Sequence, residues 1–298
     1  MTEASRATTA ADTAERFAAL LRIDRVDENL FRGSCHAGAP MRAFGGQVAA
    51  QALTAAGRTV SGGRHVHSLH SYFLRPGDPR HPIDYQVDPV RDGFSYATRR
   101  VTAVQHDEVI FTLSASFKTP EPDPDRQATA PPVPAPEELP DPFPAWAAAA
   151  PEDYERAAVF RTLELRFVPA DSPGLPGQQP GTPQQFVWLR TGGRLPDDPL
   201  LQVCALTYLS DLTLASTAAI DLQAHRFQRT EPSRIVLASL DHAMWFHRPF
   251  RADEWLLFAQ RSPSASDGRG LAHGEFYDRA GRLVASAVQE TLIRRRPS

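Results

Sequence analysis

Three histidines have the residue type of metal ligands, but their spacing argues against a metal site. His65, His67 and His70 lie close together in a stretch that is predicted to form a strand. On a strand, positions 65 and 67 share one face and position 70 points away, so the three imidazoles do not converge. We therefore interpret them as ordinary surface and core residues and predict no metal site.

A second group offers the residue types of nucleophilic catalysis. Ser239, Asp241 and His242 are those of a serine-hydrolase triad. On a continuous strand over 235–246, however, His242 faces away from Ser239, so we reject a local triad. The sequence also lacks the G-x-S-x-G elbow, the P-loop, the dinucleotide-binding glycine pattern and C-x-x-C.

Composition describes a globular protein with few obvious partners. The 298 residues are 42% hydrophobic and 22% charged, with a formal net charge of -3, so nothing points to nucleic acid. No apolar run approaches the roughly 20 residues that span a bilayer. The two cysteines, Cys35 and Cys204, are far apart, which favours the reducing cytoplasm. The single lysine, Lys118, makes a pyridoxal enzyme very improbable.

Proline divides the chain. Ten of the 27 prolines lie between positions 120 and 144, a stretch that predicts an extended linker rather than a helix or a central strand. We expect an N-terminal repeat over 1–119, a linker over 120–150 and a C-terminal repeat over 151–298. The two repeats resemble each other, because an aromatic strand stopped by Arg-Pro occurs at 72–76 and again at 245–249.

Each repeat contains one helix followed by about four antiparallel strands. Gly45 and Gly46 precede a predicted helix over 48–56 that ends at Gly57. In the second repeat, Ser210 and Asp211 would open a helix over 212–222. An alanine-rich helix can be wrapped by a curved sheet, so the expected fold is α+β, a double hot-dog with two tandem repeats.

Three polar side chains fall where burial is expected. Asp211 would cap the second helix, Ser239 lies in the apolar run 235–240, and Gln289 closes the run that begins at 284. Each has an ordinary structural explanation, but in a hot-dog fold the helix start and the middle strands lie close. The corresponding position to Gln289 in the first repeat is Ser114, so the second repeat carries polar groups that the first lacks. One asymmetric site for the two repeats follows.

Several stretches of the chain resemble the acyl-CoA thioesterase II family of double hot-dog enzymes. The resemblance runs from about residue 17 to 294, and the run 240–250 is its most specific part. The matching stretches are Phe44-Gly45-Gly46-Gln47, His70-Ser71-Tyr72-Phe73-Leu74-Arg75-Pro76-Gly77-Asp78, Arg91-Asp92-Gly93, Tyr208-Leu209-Ser210-Asp211, Leu240-Asp241-His242-Ala243-Met244-Trp245-Phe246-His247-Arg248-Pro249-Phe250, Glu254-Trp255-Leu256-Leu257 and Val288-Gln289-Glu290.

The resemblance implies hydrolysis of fatty acyl-CoA by a directly attacking water. In the family an Asp, a Ser or Thr, and a Gln activate that water, and the motifs assign these roles to Asp211, Ser239 and Gln289. Bacterial members often have Thr at the position of Ser239. No cofactor is implied, and the resemblance suggests an assembly of two or more copies, a dimer or tetramer. The cysteines favour the cytoplasm, and the lack of a long apolar run predicts no membrane insertion.

Further residues are candidates for contact with the acyl-CoA substrate. The amides of Gly45 and Gly46 at the first helix start could hold the thioester oxygen, although the glycines could equally serve tight packing. Tyr72, Trp245 and His242 are candidates for lining the substrate site, although plain core packing explains most aromatic residues in these strands.

Two other classes of function stay open on the sequence. A hot-dog hydratase or dehydratase would place an Asp–His pair on the substrate, and Asp241 beside His242 offers one. A non-catalytic acyl-CoA binding module would tolerate loss of the three polar residues. Thiol release, a hydroxyacyl product or unchanged ligand would distinguish the three classes.

Overall fold

The computed structural model describes residues 9–37, 42–122, 125–173, 175, 182–222, 227 and 235–295. Two similar halves build the described part, each with a pair of strands and a central helix, followed by four further strands of an antiparallel sheet in the first half and five in the second. No helix within these ranges is long and apolar enough to cross a membrane.

The first half starts with helix α1 (Ala10–Leu20), which begins at a capping box between Thr9 and Asp12. It continues with β1 (Asp24–Asp27), β2 (Leu30–Gly33), α2 (Gly45–Gly57), β3 (His65–Phe73), β4 (Ile83–Asp92), β5 (Tyr96–Gln105) and β6 (Glu108–Lys118). Helix α2 confirms the helix predicted over 48–56 with its end at Gly57. Its small residues are buried from Gly46 to Ala56, because alanines let the sheet and a second helix approach closely.

The second half repeats this order after two short helices. Its elements are α3 (Pro142–Ala149), α4 (Pro151–Arg156), β7 (Leu163–Phe167), β8 (Gln184–Thr191), α5 (Pro199–Ser210), α6 (Leu214–Thr217), β9 (Ile235–Ser239), β10 (Asp241–Phe246), β11 (Leu256–Ser266), β12 (Arg269–Tyr277) and β13 (Leu283–Arg295). Short 3-10 helices lie at Pro136–Glu138 and Ala158–Thr162.

The central helix of the second half lies earlier in the chain than we predicted. Helix α5 is capped by the Asp198 side chain, which accepts from Leu200 N, and Pro199 occupies its first turn. It ends at Ser210, where the predicted helix over 212–222 was to begin. The apolar spacing of 212–222 produces only the single turn of α6 and further turns, so that prediction was wrong.

All thirteen strands of the described residues belong to one antiparallel sheet. Their order is β1-β2-β4-β5-β6-β3-β10-β13-β12-β11-β8-β7, and β9 pairs with β13 beside β10. The halves therefore join at β3 and β10, where Ser71 lies opposite His242. Ser71 Oγ also donates a hydrogen bond to the His242 carbonyl oxygen at 2.8 Å. This is the α+β arrangement that the sequence predicts, with one central helix in each half.

The two central helices pack against each other in opposite directions. The start of α2 lies at the end of α5, because a side chain on Gly46 would meet the Tyr208 carbonyl oxygen. The end of α2 lies at the start of α5, because a side chain on Gly57 would meet Leu200. This pairing brings the amide end of one helix to the carbonyl end of the other.

The proline-rich segment packs onto the second half instead of hanging free. Described residues between 119 and 135 form neither helix nor strand, as predicted, and the Trp188 indole donates to the Pro134 carbonyl oxygen at 2.9 Å. The last part of the predicted linker differs, because α3 is helical. Pro142 stands in the first turn of that helix, where a proline ring is tolerated.

Candidate active site

Asp211 lies at the end of helix α5 and not at the start of a helix. It is the C-cap residue of α5, with φ −84° and ψ −1°. The N-cap explanation of this aspartate is therefore wrong. A carboxylate at a helix C-terminus gains nothing from the helix dipole, so capping does not account for an aspartate here.

The three polar residues singled out in the sequence meet at one carboxylate oxygen. Gln289 Nε2 donates to Asp211 Oδ1 at 2.8 Å, and Ser239 Oγ donates to the same oxygen at 3.2 Å. The three side chains come from α5, β9 and β13, which are far apart in sequence. Two donors on one oxygen fix the orientation of the carboxylate and stabilise its charged form.

Gln289 has hydrogen-bonding capacity left over. Its residue is fully buried, and its Oε1 has no hydrogen-bond partner within the described ranges. The amide must present Nε2 to Asp211, because Oε1 would be repelled by the carboxylate. A buried carbonyl-type oxygen that lacks a protein partner is a place where a water molecule can donate.

A β-bulge aims Ser239 at the site. Ser239 lies opposite Thr291, whereas Ala243 lies opposite Val288, so one extra residue stands on the β9–β10 side. Ser239 and His242 consequently face the same, inner side of the sheet. The prediction that His242 faces away from Ser239, on which we rejected a local triad, is therefore wrong.

Asp241 holds this bulge together. The Leu240 amide donates to the Glu290 carbonyl oxygen, and the Glu290 amide donates to Asp241 Oδ1 at 2.7 Å. The carboxylate thus accepts from a backbone amide that the bulge has removed from the strand ladder. Burial raises the pKa of Asp241 above its ordinary value, against the lowering effect of that amide. This role could not be predicted from the sequence, because nothing in the residue types marks a bulge.

His242 is buried and contacts Ser210, the residue before Asp211. Its side chain is 1% exposed, and its Nε2 lies 2.8 Å from Ser210 Oγ. Ser210 Oγ donates to the Thr207 carbonyl oxygen, which leaves its lone pairs to accept a hydrogen bond from His242 Nε2. Burial lowers the pKa of His242 to about 4. The structure places the His242 ring against Ser210 at the end of α5, and a contact of His242 with substrate stays a prediction.

The local triad and the Asp–His pair are both absent from the site. The ring of His242 bonds Ser210, while Asp241 lies on the outer side of β10, opposite Tyr72. Neighbouring strand positions point to opposite faces, so Asp241 and His242 cannot act on one substrate together. The Asp–His pair that made a hydratase or dehydratase possible on the sequence is therefore not formed.

Two aromatic residues predicted to contact substrate lie on the outer face of the sheet, away from Asp211. Tyr72 is 60% exposed, and Trp245 alternates with the buried Met244 along β10. The Trp245 ring packs edge-on against His70 on the outer side of the sheet, 5.2 Å between centroids. Phe73, the next residue after Tyr72, faces inward and would contact a side chain placed on Gly45.

Gly45 and Gly46 lie directly against Asp211. A Cβ on Gly45 would stand 2.8 Å from Asp211 Oδ2, and one on Gly46 would stand 3.0 Å from Asp211 Cβ and 2.6 Å from the Tyr208 carbonyl oxygen. A Cβ on Gly46 would therefore collide with the backbone, whereas one on Gly45 would displace only side-chain atoms. The same packing brings the first amides of α2, which precede the first intrahelical hydrogen bond, to the carboxylate.

The three histidines of β3 do not come together. His67 Nε2 lies 2.8 Å from Ser116 Oγ, while His70 packs on Trp245. The two cysteines are free and buried, and burial raises the pKa of each thiol to about 12. Neither group of residues takes part in the arrangement around Asp211.

Comparisons with known proteins agree in the kind of protein they match. A family profile described as "Acyl-CoA thioesterase" matches residues 163–292, and one described as "Acyl-CoA thioesterase N-terminal domain" matches residues 34–118. The acyl-coenzyme A thioesterase 8 of Homo sapiens is 39% identical over 289 residues, covering 93% of this chain and 88% of the relative.

Solved structures give the same picture. An acyl-CoA thioesterase II of Mycobacterium marinum superposes with a TM-score of 0.79 and 44% sequence identity, covering 95% of this chain and 99% of its own. A hot-dog protein of unknown function from Alicyclobacillus acidocaldarius matches with a TM-score of 0.71 at 21% identity, covering 95% and 98% of the two chains. The fold is therefore a double hot-dog, as predicted.

Proposed function

Since this chain belongs to the acyl-CoA thioesterase II family, we propose that it hydrolyses acyl-CoA at Asp211, with water as the direct nucleophile. The enzyme converts acyl-CoA to free fatty acid and CoA. One observation carries the assignment of the site: Asp211 Oδ1 accepts hydrogen bonds from both Ser239 and Gln289, the two residues that the family resemblance also indicates.

Asp211 acts as the general base. Water donates one proton to the Asp211 carboxylate and the other to Gln289 Oε1, which has no partner within the described ranges. Ser239 Oγ donates a hydrogen bond to Asp211 Oδ1 and so holds the carboxylate in the orientation that receives the proton. A base positioned in this way contributes typically about 10²–10⁴-fold to the rate.

The start of α2 stabilises the charge that develops on the thioester oxygen. The amides of Gly45 and Gly46 stand at the positive end of the helix dipole, beside Asp211. As the water oxygen bonds to the thioester carbon, negative charge moves to the carbonyl oxygen and these amides donate to it. Collapse of the intermediate breaks the carbon–sulfur bond, and the thiolate of CoA takes up the proton that Asp211 accepted from water, which restores the carboxylate.

Direct attack by water is tested by a single turnover in H₂¹⁸O, with enzyme in excess of acyl-CoA. We expect one ¹⁸O atom in the released fatty acid from the first turnover. If Asp211 were instead a nucleophile and its acyl anhydride were opened at the aspartyl carbon, the first fatty acid would carry ¹⁶O from the enzyme. Recovery of unlabelled fatty acid would therefore overturn the proposal.

The cellular setting is part of the same proposal. Two free, buried cysteines at distant positions are typical of a protein of the reducing cytoplasm. An assembly of two or more copies is supported by the open edges of the antiparallel sheet and by exposed aromatic residues, Tyr72 on its outer face and Phe94 in the turn between β4 and β5. We also propose that the chain divides into two repeats, at 1–119 and 151–298.

A further inference from the structure

A cluster of metal-ligand side chains lies on the first half, outside the proposed site. Asp78, His81 and His106 present one carboxylate oxygen and two imidazole nitrogens, all within 4.8 Å of one another. It is the one such group in the part of the chain that the structure describes. The rings of His81 and His106 are 4.6 Å apart between centroids. We propose that this cluster binds a divalent transition metal of the Zn²⁺ class.

The donor set defines that class of metal. Imidazole nitrogen suits zinc, nickel and copper, whereas calcium and magnesium prefer oxygen ligands. Two histidines and one carboxylate leave a fourth position for water in a tetrahedral site. Zinc–ligand bonds of about 2.0–2.2 Å require the donor atoms to come within roughly 3.5 Å of one another. Side-chain rotation closes that gap, since His81 and His106 are both exposed.

The backbone that carries the ligands is fixed by a buried amide. Gln105 is 6% exposed, and its Oε1 accepts from the Asp78 amide at 2.7 Å. Its Nε2 donates to the carbonyl oxygens of Asp78 and His81, each at 2.9 Å. One side chain of strand β5 thus sets the spacing of two ligands on the neighbouring loop. Pro79 and Pro82 restrict the same loop further.

The third ligand comes from a separate turn whose conformation is unusual for its residue. His106 and Asp107 join β5 to β6 as a two-residue turn, with φ of 51° and 60°. Such turns favour Asn and Gly, because both positions are left-handed. A histidine held in this conformation points its ring at the loop of His81, although nothing in the turn requires an imidazole.

Arg80 competes with a metal for the carboxylate. The Arg80 guanidinium bonds Asp78 Oδ2 at 2.7 Å and so occupies an oxygen that a metal ion would use. Arg80 itself is 72% exposed in its side chain, so it can move aside. Removing Arg80 should strengthen metal binding, whereas removing either histidine should weaken it.

Calorimetric titration of the chelator-treated full chain with Zn²⁺ tests the proposal. We expect one bound Zn²⁺ and a rise in thermal stability, since the metal links the loop to the turn. His106→Asn keeps a residue suited to the turn, and with His81→Gln it should weaken binding by about tenfold or more. Arg80→Ala should bind more tightly than wild type. His65→Asn, an exposed histidine outside the cluster, is the matched control.

Three results would count against the site. If the His81→Gln/His106→Asn double variant binds Zn²⁺ as wild type does, the cluster is not the metal site. If wild type binds no Zn²⁺, the proposal fails outright. An unchanged affinity in Arg80→Ala would contradict the part given to Asp78. None of these outcomes depends on thioester hydrolysis, so they leave the proposed function untouched.

Discussion

Gly45 and Asp211 belong to different halves of the protein, yet a methyl group on Gly45 would stand 2.8 Å from Asp211 Oδ2. The contact joins the amide end of α2 to the carbonyl end of α5. It explains why one half carries glycines where the other carries the carboxylate. Each half supplies one part of a single site, the helix amides from the first and the polar side chains from the second.

The substitution Gly45→Ala should lower kcat without unfolding the protein. The new methyl group pushes the carboxylate or the Phe73 ring aside, and a displacement near 1 Å can cost about 10²-fold in rate. Alanine is the better helix former, so the thermal midpoint should hold or rise. Steady-state thiol release and a thermal melt separate the two effects. Wild-type kcat in this variant would contradict the close approach of the two helix ends.

Ser239 should be replaceable by threonine but not by alanine. Ser239→Ala removes one of the two donors on Asp211 Oδ1, and we expect kcat to fall about tenfold. Ser239→Thr keeps the hydroxyl and restricts its rotamers, so activity should equal or exceed that of wild type. Ser114→Ala, on the outer face of β6, is the matched control. Equal loss in the alanine and threonine variants would mean that the hydroxyl is not what matters.

The bulge at Leu240 can be tested through Asp241. Asp241→Ala leaves the Glu290 amide without its acceptor, and we expect a loss of about 1–2 kcal/mol of unfolding free energy together with lower kcat. Asp241→Asn retains an oxygen acceptor and should restore most of both. Denaturant titration and the thiol assay measure the pair. If Asp241→Asn behaved like Asp241→Ala, the charge, and not the hydrogen bond, would be what holds the bulge.

His242 should make the protein less stable in acid. The neutral ring is favoured in the fold, with a pKa of about 4 against 6.5 for an unperturbed histidine. Between these values the unfolded chain binds the extra proton, so this contribution is complete above pH 6.5 and is lost as pH falls toward 4. The loss amounts to about 3 kcal/mol.

Comparison with the variant His242→Gln separates the effect of His242 protonation on the unfolding free energy from the effect of carboxylates that titrate over the same pH range. Unfolding free energies of both proteins from pH 7 to pH 4 should converge as the pH falls. Parallel curves for wild type and His242→Gln would show that His242 titrates normally in the fold.

The sequence predicts the helix of the first half well and that of the second half poorly. Helix α2 begins at Gly45 and ends at Gly57, and the alanines between them favour a helix over a strand. In the second half, the apolar spacing of 212–222 resembled a helix, while the stronger signal lay upstream. Asp198 followed by Pro199 is a cap and a first-turn proline, and it marks the true start of α5.

The site residues were predictable, but their surroundings were not. The sequence brings Asp211, Ser239 and Gln289 to notice as polar groups in apolar stretches, and they do meet. A one-residue bulge has no sequence signature here, yet it decides that Ser239 and His242 share a face. Tyr72 and Trp245 were predicted to contact substrate because they are aromatic. Side chains alternate between the two faces of a strand, and both residues lie on the face away from Asp211.

Thiol release by the variant Asp211→Asn tests whether Asp211 is the general base. The variant keeps the size of the side chain and the acceptor for Gln289, but it cannot take a proton from water. We predict that kcat falls by about 10²-fold or more while KM for acyl-CoA changes little. Asp107→Asn, an exposed carboxylate in the β5–β6 turn, should remain fully active. A folded Asp211→Asn variant with wild-type kcat would contradict the assignment of Asp211 as the general base.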